Sequence, residues 1–268
     1  MLIARKIAAV RSFWAHLRGK SLGFVPTMGD LHDGHLSLIC RSKRENDFTA
    51  VSIFVNPTQF NQKNDFLNYH KDERRDLALL RQEKVDLVFL PSAKEMYKES
   101  FQTEVNVNDL SRGLCGPYRP GHFKGVSTVV AKLFSIVRPT RAYFGMKDFQ
   151  QLKVIERMVQ DLNLLVRIVA CPTVREKDGL AMSSRNRRLS TQERVHAVKF
   201  SRALKVAARA PKPGLALFLK EADLYKKDVD YFEIVDPQTL LPTRKKPYVA
   251  AAAVWIGKTR IIDNVWVP

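Results

Sequence analysis

Short apolar, β-branched runs alternate with stretches of helical periodicity over the first two-thirds of the chain, and this alternation narrows the fold more than any other feature. The runs at 22–25, 50–55, 86–90, 141–144 and 166–170 are near-continuous in apolar residues, which predicts strands buried on both faces of a parallel sheet. Between them, residues 35–45, 72–84, 126–137 and 150–162 return an apolar side chain every three or four positions, the pattern of helices with one buried stripe. The βαβα order predicts an α/β fold: a Rossmann-like parallel sheet with helices on both faces, over residues 1–174. From about Arg175 the pattern changes to a basic helix near 192–209, a Pro-Lys-Pro-Gly break at 211–214, and strands near 231–235, 248–256 and 260–262. That predicts a smaller α+β domain over 175–268, closing over a ligand held by the first.

Composition sets the class. Of 268 residues, 45% are hydrophobic and 27% charged, an ordinary globular balance rather than a disordered one. Cys40, Cys115 and Cys171 are odd in number and far apart, so neither a disulfide framework nor a thiolate metal site is expected, and a reducing cytoplasm fits. Residues 1–10 carry Arg5 and Lys6 within their apolar stretch, and no later run approaches the roughly 18 apolar residues of a membrane span. Neither export nor membrane insertion is expected. The formal charge of +18 can attract nucleic acid or small anions. Its basic residues are dispersed, and no long Lys/Arg arm is present, so no nucleic-acid partner is expected.

The chemistry concentrates after the first predicted strand, in Pro26-Thr27-Met28-Gly29-Asp30-Leu31-His32-Asp33-Gly34-His35. Pro26 cannot donate to a central ladder, so the chain is expected to turn there. A helix then begins near Gly34, placing backbone N–H groups and a positive dipole end at the carboxyl edge of the sheet, where such folds bind phosphates. His32 and His35, three apart, can project to one side and donate to one phosphate. The spacing alone also suits histidines that cap the helix, or a pair of metal ligands, and does not by itself select nucleotide chemistry. A zinc hydrolase would want Glu between the histidines; Asp33-Gly34 stands there instead.

A His-x-Gly-His sequence at the first strand-to-helix turn resembles the nucleotidylyl-transferase superfamily. The longer string Pro26 to Ile39 resembles its pantothenate synthetase (pantoate–β-alanine ligase) family. Further blocks match that family in the same order: 51–60 (Val-Ser-Ile-Phe-Val-Asn-Pro-Thr-Gln-Phe), 119–126 (Arg-Pro-Gly-His-Phe-Lys-Gly-Val), 144–151 (Phe-Gly-Met-Lys-Asp-Phe-Gln-Gln), 172–186 and 257–264. The resemblance implies condensation of pantoate with β-alanine using ATP, through a pantoyl-adenylate, by a cytoplasmic homodimer with Mg2+ accompanying ATP. It implies ATP contacts from Met28, Gly29, Asp30, Leu31, His32, Asp33, Gly34 and His35 in the first turn. Gly145, Met146, Lys147 and Asp148 would add contacts after a later strand, and Val174, Met182, Ser183, Ser184 and Arg185 from a flexible basic stretch. His32, His35, Lys147 and Arg185 would be catalytic, Gln59 and Gln151 would hold the acid, and Asp76 would lie near the metal. This chain departs from the family pattern in having Met146 for the usual Glu, Arg75 for a usual acid and His70 for a common Pro.

Overall fold

A computed structural model describes residues 1–15, 17, 19–61, 66, 67 and 69–268, and the chain forms two compact units. Unit 1 comprises Met1–Val107, Pro120–Gly145 and Val154–Cys171; unit 2 comprises Asn108–Arg119, Met146–Lys153 and Pro172–Pro268.

Unit 1 is built on a six-stranded sheet in the order β1-β4-β3-β2-β5-β6, all of it parallel. Its strands are β1 (Leu2–Ala4), β2 (Leu22–Thr27), β3 (Phe48–Ile53), β4 (Leu87–Phe89), β5 (Arg141–Gly145) and β6 (Arg167–Cys171). Helices α1 (Ile7–Trp14), α2 (Asp33–Glu45), α3 (Glu73–Gln82), α4 (Ala93–Met96) and α5 (His122–Val137) connect them, and α6 (Phe149–Asp161) lies between β5 and β6 in sequence. Both faces of a parallel sheet must be covered. On one side Val25, Val51, Val88, Tyr143 and Val169 share a core with Leu38 and Ile39 of α2 and Leu77 and Leu80 of α3. At the alternate positions, Phe24 and Phe144 each meet Phe134 of α5 edge to face, and Phe48 meets Phe13 of α1. The packing of α2 on β2 is close enough that a Cβ on Gly23 would lie 2.1 Å from Ser42 Oγ.

Strand order reverses at β2: β3 and β4 lie to one side and β5 and β6 to the other. This is the switch point at which α/β sheets leave a crevice beyond their carboxyl ends. Contrary to expectation, the chain does not turn at Pro26, which lies inside β2 opposite Ser52. The reason is directional. Thr27 accepts from Phe54 on the β3 side, so the neighbouring Pro26 faces β5, and β2 pairs with β5 only at Gly23 and Phe24. The donor that proline lacks would have had no ladder partner there.

Unit 2 holds an antiparallel sheet, β7-β8-β9, formed by β7 (Val229–Val235), β8 (Tyr248–Ile256) and β9 (Thr259–Val267), with α7 (Thr191–Arg209) and α8 (Leu215–Ala222). Ser190 and Glu193 start α7 as a reciprocal capping box. Alanines at 250 and 252 of β8 and at 197, 203 and 207 of α7 let helix and sheet approach closely around Phe200 and Phe218. Among the described residues, no helix is long and apolar enough to cross a membrane.

Candidate active site

The turn after β2 is set by two left-handed residues, Gly29 at φ +83° and Asp30 at φ +50°. A Cβ on Gly29 would also meet Asp76 Oδ2 at 3.0 Å and Ile53 Cγ2 at 3.1 Å, so both conformation and space call for glycine. Asp76 of α3 is 1% exposed, and its two oxygens accept from the N–H groups of Asp30 and Leu31, each at 2.8 Å. Burial pushes its carboxyl up from the usual carboxylate range, against the pull of these two amides. Asp30 Oδ1 in turn lies 3.3 Å from His70 Nδ1 and 3.7 Å from the Arg75 guanidinium. His70 and Arg75, two departures from the family pattern, thus both face the turn. Asp76→Asn would set an amide NH2 against one of two buried N–H donors, and is expected to cost about 1–3 kcal/mol of stability, read from the denaturant midpoint at unchanged slope.

His32 is the N-cap of α2, and its N–H donates to His35 Nδ1 at 3.4 Å within a capping box. The capping reading of the pair is therefore real, and it aids the chemical one. A ring nitrogen that accepts carries no proton, so in the neutral form of His35 the hydrogen sits on Nε2, which is then a donor. The two imidazoles stack with centroids 4.0 Å apart and planes at 29°, which holds both rings at the positive end of the α2 dipole. Both are half-buried, and Asp33 between them is exposed.

Gln59, in the 3-10 turn Pro57–Gln59, is buried. Its Nε2 lies 3.1 Å from Met28 Sδ, and its Oε1 accepts from Asn56 Nδ2 at 3.1 Å. Asn56 is itself anchored to Gly125 O at 3.1 Å and accepts from Tyr97 OH at 2.8 Å. His122 donates from Nδ1 to Gln59 O at 2.8 Å, the carbonyl being able only to accept. Asn56, Tyr97, His122 and Gly125 are thus the frame of Gln59; the sequence offers only a turn or capping role for Asn56 and none for the others. Residues 56, 122 and 125 stood within matching blocks, but nothing local distinguished a framing role from an ordinary turn or helix start.

In unit 2, the turn Met146–Asp148 is held by Asn264 of β9, whose Nδ2 donates to Met146 O at 2.9 Å and Lys147 O at 2.8 Å. Lys147 Nζ lies 3.6 Å from Asp148 Oδ2. Gln151 is half-buried. Its neighbour Gln150 is buried and engaged with the 108–119 segment, accepting from Cys115 N at 3.0 Å and donating to Leu110 O and Gly113 O at 2.9 and 2.8 Å. Residues 174–182 fold back on themselves, Met182 N donating to Val174 O at 3.0 Å. Ser183 then caps the 3-10 turn Ser184–Arg188, its Oγ accepting from Arg185 N at 3.3 Å. Of the expected residues, unit 1 therefore carries Met28 to His35, Gln59, Asp76 and Gly145, and unit 2 carries Met146, Lys147, Asp148, Gln151, Val174 and Met182 to Arg185.

Among the described residues, no group of three or more His, Cys, Asp or Glu is placed to hold a metal ion. Asp76 has both oxygens turned to loop amides, and Asp30 faces two basic side chains. These residues do not make a dedicated metal site.

A family model described as pantoate-β-alanine ligase matches residues 2–266. The chain belongs to the pantoate–β-alanine ligase family. A pantothenate synthetase from Sulfurihydrogenibium sp. is 56% identical over 259 residues, 92% of each protein. Among solved structures, a pantothenate synthetase from Thermus thermophilus superposes with a TM-score of 0.91 at 45% identity, covering 99% of both chains. The Francisella tularensis pantoate-β-alanine ligase, crystallised with beta-gamma ATP and beta-alanine, gives 0.86 at 35% identity over 99% of this chain and 97% of that one. Like the family, the chain is a ligase that forms the amide bond between pantoate and β-alanine, and its parallel α/β sheet with a smaller antiparallel unit is the family's fold.

Proposed function

We propose that this ligase activates pantoate with ATP and that His35, aided by His32, stabilises the charge that develops on the α-phosphate. The observation carrying this reading is the stacked histidine pair at the start of α2, with His35 Nδ1 accepting the His32 backbone N–H. A carboxylate oxygen of pantoate attacks the α-phosphorus; the bond to the bridging oxygen breaks and pyrophosphate leaves with its electron pair. The amine of β-alanine then attacks the acyl carbon of the pantoyl-adenylate, AMP departs, and the nitrogen loses a proton as the amide forms. No side chain becomes covalently modified. Donors fixed in advance by a helix start need not reorganise as charge builds, which is where such groups lower a barrier most.

In the same reading, Met28 to Gly34 contribute the backbone of the ATP-binding turn, with Asp76 as the residue that sets its shape. Gly145, Met146, Lys147, Asp148, Val174 and Met182 contact the nucleotide, Ser183 and Ser184 hydrogen-bond phosphate oxygens, and Lys147 and Arg185 supply positive charge. Gln59 and Gln151 hold pantoate through amides that both donate and accept. Mg2+ accompanying ATP would supply charge neutralisation at the phosphates, and, as suits an ion that dehydrates reluctantly, it would need few protein ligands. The protein works in the cytoplasm as a homodimer, on small molecules and without nucleic acid.

Incubation with ATP, pantoate and β-alanine, without RNA, is expected to release one AMP per pantothenate. Lys147→Ala should lower pantoate-dependent ATP–pyrophosphate exchange by about tenfold or more while Tm holds. AMP release that required tRNA, or exchange unchanged in the variant, would overturn the reading.

A further inference from the structure

The two faces of β9 reach two different parts of the proposed nucleotide machinery. Successive strand residues point to opposite sides, and Asp263 and Asn264 are successive. Asp263 is 2% exposed and grips Arg175 with both oxygens, Oδ2 at 2.7 Å from NH1 and Oδ1 at 3.0 Å from NH2. Arg175 NH1 also reaches Gly179 O at 3.1 Å, so the guanidinium spans the fold-back of 174–182 from within. Ser201 of α7 completes the set, donating to Asp263 Oδ2 at 2.6 Å. On the other face, Asn264 Nδ2 holds both carbonyls of the Met146–Lys147 turn. The two halves are linked, because Asn264 N donates to Asp263 Oδ1 at 2.8 Å. Beyond these bonds, β9 packs against both the 146–148 and the 184–188 turns.

We propose that Asp263 and Asn264 are positioning residues for the adenylation step, fixing from opposite faces of one strand the spacing between the 146–148 turn and the 174–185 segment. The inference rests on the assignment of those segments to ATP in the reading above. A bidentate Arg–carboxylate pair is stiff and directional, and one amide clasping two consecutive carbonyls defines the direction of the turn that carries Lys147. Neither residue needs to touch a substrate. Mispositioning here bears first on ATP, since the turn itself carries Lys147, whereas pantoate is held also by Gln59 of unit 1.

The decisive variant is Asn264→Asp, which keeps the shape but turns the donor into an acceptor facing two carbonyls. Its kcat/KM for ATP in pyrophosphate exchange is expected to fall about tenfold or more, the worth of one to two hydrogen bonds, with KM for pantoate unchanged within about twofold. Asn264→Gln, which restores the donors on a longer stem, should recover part of the loss. Arg175→Lys, keeping the charge but losing the fork, should show the same selective loss for ATP. A merely structural role would lower Tm and depress all substrates alike, and that result overturns the proposal, as does wild-type kcat/KM for ATP in Asn264→Asp. If Asn264→Asp does not fold, Arg175→Lys and Asn264→Gln carry the same criterion. Lys147→Ala separates the two readings. If it impairs ATP use while Asn264→Asp does not, only the strand proposal falls; if neither impairs it, the ATP assignment of 146–148 falls as well.

Discussion

His35→Ala is expected to reduce pantoate-dependent ATP–pyrophosphate exchange by about 10²–10³-fold, the loss seen when one fixed donor to a developing oxyanion is removed. Two effects combine. The variant loses the Nε2 donor, and it also loses the Nδ1 acceptor of the His32 N–H, so the N-cap residue is released from its partner. The stability cost of the second effect is small, about 1 kcal/mol for a lost cap. Loss of activity in a protein with near-normal Tm therefore reports on chemistry. His35→Gln sharpens the test, because its amide can still donate from a flexible stem; partial recovery in exchange is expected. Near-normal exchange in His35→Ala would remove the histidine from the mechanism.

Gly125→Ala is the second large effect, and it runs against helix propensity. In the interior of an exposed helix this change gains about 1 kcal/mol. Here the new Cβ on α5 would lie 2.5 Å from Thr58 O, 2.7 Å from Thr58 C and 2.8 Å from Gln59 Cα, all of them backbone atoms that cannot swing aside. Overpacking of this kind costs about 1–3 kcal/mol, outweighing the gain. Since the displaced atoms are those of the Pro57–Gln59 turn, KM for pantoate should rise together with the fall in Tm. A variant with normal Tm and normal pantoate KM would show that α5 and this turn do not pack as described.

The legible parts of the chain were those with a strong period or a fixed local conformation. β2, β3, β5, β6 and helices α2, α3, α5, α6 and α7 announced themselves through their apolar spacing, to within a few residues at their ends. β1 has three residues and α4 four, too few to establish any period, and α8, eight residues directly after the Pro-Lys-Pro-Gly break, was not read as an element. Pro26 misled because its permissible place depends on where β5 stops pairing, which is a property of the sheet and not of the strand. The histidine turn was visible as a string, but the reason for its shape was not: Asp76 reaches it from 45 and 46 residues away. The same holds for Asn56, His122 and Asn264, whose contacts join blocks that no local pattern connects.

Gln150 has a consequence for how the molecule is made. Three carbonyl and amide contacts tie it to residues 110–115, so unit 2 draws its material from three separate stretches of chain. A gene fragment starting near residue 172 would encode most of that unit and still lack the pieces that complete it. During synthesis residues 108–119 leave the ribosome first, their partner Gln150 follows 35 to 40 residues later, and the strands and helices that make up most of unit 2 come only after residue 172.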